Sequence, residues 1–249
     1  MRRLLPNIGG PSYFKRRVLC TILHSVLLYA APVWRAAIKR DKQKLELVKM
    51  QRRGLLRVVC AYRTVSAEAV QVIAGYPPID LIFAETCFLY KIGSRLPGNR
   101  RMAKKRTIRM WQTRWEAESR TAGWTRTLIG DLEGWMACEH RRTGYYFTQF
   151  LTGHGSFGTY TKRIKKTESD QCQRCGMTDD PEHVYGTCVR WEEERSWVRS
   201  QLQRLPDINS LITEMTESKK TWTVMYEYIT NIMKRKEEED RRREQQAGP

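Results

Sequence analysis

A mainly α-helical fold is what this sequence predicts, and three observations carry the prediction. Apolar residues recur three and four apart over long stretches, Ser and Asp stand where helices would begin, and Gly and Pro stand where they would end. With 41% hydrophobic content over 249 residues, the chain has enough apolar material to bury a core, in one large or two small domains.

After the breaker Gly9-Gly10-Pro11, Ser12 can cap a first helix whose apolar positions Val18, Ile22, Val26, Tyr29 and Val33 share one face, with Leu19, Leu23 and Leu27 widening the stripe. Residues 18–34 are the most apolar in the chain. They still fall short of the roughly 20 a membrane span needs and contain His24, Ser25 and Pro32, so they read as a buried helix. A second helix is expected over residues 41–62, with Leu45, Val48, Leu55, Leu56 and Val59 inward and Lys42, Lys44, Lys49, Arg52, Arg53 and Arg57 on a basic side. Ser66 starts a third, stopped by Gly75 and Pro77-Pro78, and Asp80 caps a fourth running through Phe83, Cys87, Tyr90 and Ile92. Residues 1–97 thus form a helical region. A basic helical and irregular linker is expected over 98–160, a small metal-binding unit over 161–195, and C-terminal helices with a charged tail over 196–249.

The formal charge of +18 makes an acidic polymer the first partner to consider, because Lys and Arg that neutralise phosphates release condensed counterions. RNA or DNA ranks above a membrane surface, since neither an isolated basic amphipathic helix nor a lipid-anchor site stands out. Residues 91–126 hold 11 basic residues, among them Arg95, Arg100, Arg101, Lys104, Lys105, Arg106 and Arg109, against the acids Glu116 and Glu118. Trp111, Trp115 and Trp124 are interleaved with them. Two readings weigh equally: a surface that tracks a nucleic-acid backbone with rings free to stack on bases, or a solvated basic face over packed tryptophans. Residues 143–166, rich in Gly and aromatics, read as irregular, and His154 among them as structural. Residues 234–244 are nearly all charge and read as a solvent-exposed helix end without a core role.

Seven cysteines is an odd number, and four of them (Cys20, Cys60, Cys87, Cys138) are scattered singly, so a disulfide framework is not expected. The opening Met1-Arg2-Arg3, with only a short apolar run before Pro6, does not fit a secretory signal, and a reducing intracellular compartment is expected. The remaining cysteines form the sharpest pattern in the chain: Cys172, Cys175, His183 and Cys188, spaced Cys-x2-Cys-x7-His-x4-Cys. Three thiolates and an imidazole suit the soft tetrahedral preference of Zn2+, and Gly176 fits the tight turn after the second Cys. Four protein ligands leave no open position, so one zinc ion is expected in a structural role. So polar a segment lacks a hydrophobic core, which metal-binding energy would replace. Lys162, Arg163, Lys165 and Lys166 precede this knuckle and Arg174 lies within it, which would turn a basic surface toward phosphates. Asp179-Asp180, the only adjacent Asp pair, reads as loop acids, because no third carboxylate accompanies it as a polymerase site requires. Pro206-Asp207 alone does not support a nuclease.

Several stretches resemble a known family. Lys15 to Leu19, leading to His24-Ser25-Val26-Leu27-Leu28-Tyr29-Ala30-Ala31-Pro32-Val33-Trp34, is similar to the region just after the palm in insect-type non-LTR (LINE-like) retrotransposon reverse transcriptases. Thr148 to Gly155, Phe157-Gly158, Tyr160 and the knuckle through Trp191 resemble the C-terminal end of the type-one, ribosomal-DNA-inserting elements. The resemblance, over most of residues 4–200, implies a helical thumb-like bundle, a linker and a zinc knuckle. These would help the remainder of a reverse transcriptase polypeptide hold template RNA and target DNA in target-primed reverse transcription, with a nuclear site of action. Only the four zinc ligands carry over residue by residue. The family's Tyr-Ala-Asp-Asp polymerase box and apurinic-type endonuclease are not found in this sequence, so no catalytic residue is expected and the chain is not expected to polymerise alone. The alternative is a domesticated stand-alone zinc-knuckle adaptor for nucleic acid.

Overall fold

A computed structural model describes residues 5–246 apart from 37, 39, 94, 95, 118 and 119. Arg95 and Glu118 of the basic stretch, like the opening Met1-Arg2-Arg3, lie outside the described residues. The architecture is mainly α. Among the described residues the extended structure is one isolated antiparallel bridge, Gln171 to Thr178. The helices are α1 (Tyr13–Leu27), α2 (Asp41–Val58), α3 (Ala67–Ala74), α4 (Ile79–Ile92), α5 (Pro97–Ala117), α6 (Gly123–Leu128) and α7 (Leu132–Ala137). They continue with α8 (Tyr145–Thr152), α9 (Gly158–Arg163), α10 (Pro181–Gly186), α11 (Glu192–Leu202), α12 (Leu211–Glu217) and α13 (Lys219–Gln246). No single helix among them is long and apolar enough to cross a membrane.

Helix α3 forms as its sequence dictates. The Ser66 hydroxyl accepts from the Ala69 N–H, and Gly75, at φ +69°, closes the helix in the left-handed conformation that a side chain would strain. Helix α4 starts differently from expectation: Pro78 occupies the cap, and Asp80 instead receives both guanidinium nitrogens of Arg114 at 2.9 Å.

Helix α1 turns the opposite face inward from the one its apolar stripe suggests. It buries Tyr13, Arg16, Cys20 and His24, ends at Leu27, and leaves Val18, Ile22, Val26, Tyr29 and Val33 exposed. The buried polar groups explain the choice, since each finds partners only on that side. Arg16 donates to the carbonyls of Pro11 (2.7 Å), Arg57 (2.9 Å) and Pro6. The His24 ring stacks on Tyr76 at 4.8 Å and meets Gln51 at 3.1 Å. Gln51, fully buried, also donates to Pro77 O and accepts from Gln71 and the Ile79 N–H, so one amide ties the first four helices together. In α2, Leu55, Leu56 and Val59 are buried as expected, while Leu45 is exposed.

Residues 143–166, expected to be irregular, contain α8 and α9. Gly144 and Gly153 mark the ends of α8, and its residues Phe147, Phe150 and Leu151 are fully buried. Against α8 lies α13, whose Trp222 ring contacts Trp135, His140 and Phe147. One apolar cluster runs from Tyr13 to Met233 and takes in residues on both sides of 97, 160 and 195.

The charged stretch 234–244 is not a tail without a core role. Lys236 and Glu237 are buried on α13: Lys236 donates to Asp179 at 2.7 Å, and Glu237 accepts from Gln149 at 2.8 Å. Removing one member of a buried ion pair strands the other, at a cost of roughly 3–5 kcal/mol. Lys236→Ala is therefore expected to lower the unfolding free energy in urea by about that much, with part of the loss recovered by adding Asp179→Asn. A loss below about 1 kcal/mol would match an exposed pair and would contradict this packing.

Candidate metal centre and basic surfaces

Local folding brings the four predicted ligands together. Residues 172–177 make a tight turn in which the Gly176 N–H donates to Cys172 O at 2.8 Å and the Cys172 N–H to Met177 O at 2.6 Å. Gly176 sits at φ +70°, and a Cβ there would meet nothing, so backbone conformation alone selects glycine. Asp180, expected to be a loop acid, caps α10 by accepting from the His183 N–H at 2.8 Å, with Pro181 in the first turn. Helix α10 then presents His183 toward Cys175, Nε2 to Sγ 3.2 Å. The other ring nitrogen, Nδ1, lies 3.0 Å from the Thr187 hydroxyl, which fixes the ring plane and leaves Nε2 for a metal. Cys188 follows, with its Sγ 3.7 Å from that of Cys172 and its carbonyl accepting from the buried Arg195 at 2.6 Å.

All four ligand atoms lie within 4.8 Å of one another, so they could hold one metal ion. Thiolates bound at about 2.3 Å in a tetrahedron stand about 3.8 Å apart, close to the 3.7 Å between Cys172 and Cys188, and a thiolate and an imidazole nitrogen about 3.5 Å, somewhat more than the 3.2 Å between Cys175 and His183. Burial opposes ionisation of Cys172, but N–H donors from Arg174 and Cys175, with the His183 and Cys175 side chains, hold its thiol down to about 6. Cys188 is pushed up to about 11, by burial first and then by facing Cys172 and Cys175. A divalent ion is the charge that lets such thiolates coexist. With Cys172, His183 and Cys188 buried and all four positions filled by protein, the arrangement can organise but offers no site for a substrate.

The segment around this site is not without a core. Cys172, Val184, Tyr185, Cys188 and Trp191 all join the main apolar cluster, and the Tyr185 hydroxyl donates to Pro206 O while its own carbonyl accepts from Tyr228. Asp179, the second presumed loop acid, is buried on Lys236 and also accepts from the Gly158 N–H at 2.9 Å. Thr187, Arg195 and Lys236 therefore support the site. Sequence reading passed over them because their partnerships depend on the ring orientation of His183 and on a helix that is distant in the chain.

Among the candidate nucleic-acid contacts, Arg100, Arg101, Lys104, Lys105, Arg106 and Arg109 are exposed on α5. Trp111 and Trp115 are buried beneath them, and the half-buried Trp124 donates to Phe150 O at 2.7 Å. Trp111 and Trp115 are core, and stacking on bases is not open to them. Lys162, Arg163, Lys165, Lys166 and Arg174 are exposed around the metal loop. Lys162 pairs with Asp170 at 2.9 Å, and Arg163 lies over the Tyr160 ring. Arg190, also beside the metal loop, is turned to Glu239 of α13. His154 is held by Thr152 O and Arg163, in keeping with a structural role.

With this geometry in hand, comparison with known proteins gives the chain a context. It is 24% identical over 226 residues to the putative 115 kDa protein in type-1 retrotransposable element R1DM of Drosophila melanogaster, covering 82% of this chain and 22% of that one. It is 24% identical over 232 residues to the retrovirus-related Pol polyprotein from type-1 retrotransposable element R1 2 of Nasonia vitripennis, covering 86% and 56%. A Pol polyprotein of element R1 from Bradysia coprophila is 24% identical over 217 residues, covering 78% and 21%. The relatives are retrotransposon proteins. The chain spans between about a fifth and just over half of the length of these curated relatives. No family model and no solved structure matches it.

Metal analysis of the purified protein is expected to find about one zinc per chain, and Cys175→Ser to abolish it. Undiminished zinc in that variant would remove Cys175 from the ligand set.

Proposed function

We propose that this chain is the nucleic-acid-binding C-terminal part of a retrotransposon reverse transcriptase, an RNA-directed DNA polymerase, and that it helps hold template RNA and target DNA in target-primed reverse transcription. The observation that carries the reading is the closed Cys172, Cys175, His183, Cys188 site ringed by exposed Lys and Arg, in a chain similar to retrotransposon Pol polyproteins. Zinc at that site orders residues 172–188, so that Lys162, Arg163, Lys165, Lys166 and Arg174 meet phosphates from a fixed frame.

The exposed cations of α5 supply a second contact. With Trp111 and Trp115 committed to the core, this helix touches the backbone and not the bases, so its contribution is independent of sequence. The polymerase chemistry belongs to the remainder of a longer polypeptide. In this chain the adjacent acids are already occupied, Asp179 by Lys236 and Asp180 as a helix cap, and neither is placed to hold catalytic metal ions. Target DNA as a partner puts the site of action in the nucleus.

Affinity for single strands is expected to fall with salt at a log-log slope near 0.7 per phosphate neutralised. Changing Lys104, Lys105 and Arg106 together to Ala should weaken binding to all sequences and reduce that slope by up to roughly 2, with zinc content unchanged. An unchanged slope in filter binding across salt would make the α5 face merely solvated. Primer-extension assays of the purified chain should show no incorporation on any template, and incorporation that survives Asp179→Asn with Asp180→Asn would place a catalytic centre elsewhere in it.

A further inference from the structure

We infer that one unstacked nucleotide of a single strand seats in the cleft between the metal loop and α13. This rests on the nucleic-acid reading above and deepens it, because a backbone-tracking surface needs only exposed cations, whereas the cleft is a hollow of about 800 Å³. That volume is within the range that encloses a small ligand.

The chemistry of the cleft matches the parts of a nucleotide. The exposed Lys166 and Arg174 line it from the metal-loop side. The half-buried rings of Tyr62 and Tyr145, 5.8 Å apart and tilted by 42°, form part of its lining. Neutral polar groups, among them Ser156, Thr161 and Gln171, also line it. Phosphates need the first set, and a base needs a π surface with donors and acceptors beside it.

The acids of the cleft do not cancel this preference. Asp179 is matched by Lys236 at 2.7 Å, Glu237 by Gln149 at 2.8 Å and by Arg241, and Asp240 lies 3.5 Å from Arg243. Six cations and three acids line the cleft, so its net charge is positive. A base paired within a duplex cannot enter such a hollow, so the ligand is an unpaired nucleotide of a single strand, loop or bulge.

The test is fluorescence anisotropy on the full zinc-loaded chain with labelled oligo-uridine, labelled oligo-thymidine and an abasic strand of equal length and charge. The strands with bases should bind about tenfold more tightly than the abasic strand. Whichever of the uridine and thymidine strands shows the larger difference identifies RNA or DNA as the source. Thr167→Trp, which narrows the cleft without changing charge, should bring strands with bases toward the abasic level while zinc content and the thermal melt stay as in the parent. Equal binding of abasic and base-bearing strands by the parent overturns the inference and leaves the nucleic-acid reading standing. If the parent binds no strand at all, the reading falls and the inference falls with it. Because the abasic comparison uses the parent alone, a misfolded Thr167→Trp variant does not blunt it.

Discussion

The seating of α13 in the middle of the chain is the contact on which the rest of the molecule depends. Its apolar face, with Trp222, Met225, Tyr228, Ile229, Ile232 and Met233 all buried, closes the core over α8. One turn further along, its polar residues reach the metal loop through Lys236 and Asp179. Burial of that apolar face supplies the favourable energy, of the order of 2 kcal/mol for each large side chain, and the ion pair fixes where along the helix the loop attaches. Without α13 the metal loop would keep its four ligands but lose the surface it stands on.

The high positive charge has two uses, and the structure separates them. Some of it works inside the fold. Arg16 donates to Arg57 O near the end of α2, Arg17 to Ala74 O at the end of α3, and Arg126 to Trp115 O in the last turn of α5. Cations at those carbonyls offset the negative end of each helix and satisfy groups that would otherwise be unpaired. Such arginines fix the order of helices and are not available to a polyanion. The cations of α5 and around the metal loop face outward instead, so the sum over the sequence overstates the field a nucleic acid would meet.

What the sequence made legible was local. The mainly helical character, the capped α3 with its closing Gly75, and the grouping of four ligands all follow from spacings of a few residues. What it hid was long-range. The periodicity of α1 does not say which face turns inward, because apolar residues lie on several sides of it; the decision rests on Gln51 and Arg57 O, which belong to α2. Residues 234–244 looked like a solvated run because Asp179 and Gln149, the partners of Lys236 and Glu237, are 57 and 88 residues away. In residues 143–166 the glycines suggested irregular chain, yet Gly153 at φ +64° is where α8 stops, a role indistinguishable from a loop glycine until the helix before it is known to be packed.

The 57 residues between Asp179 and Lys236 also set an order of events during synthesis. At a ribosomal rate of about 5–20 residues per second, the metal loop emerges roughly 3–11 seconds before the helix that anchors it. During that interval its neighbours Tyr185 and Trp191 have no α13 to cover them. All four ligands, in contrast, fall within residues 172–188 and are complete as soon as they leave the ribosome. An ion captured then would hold the nascent loop in its final shape while the rest of its platform is still being made, so metal supply would bear on the yield of folded chains as well as on the finished fold.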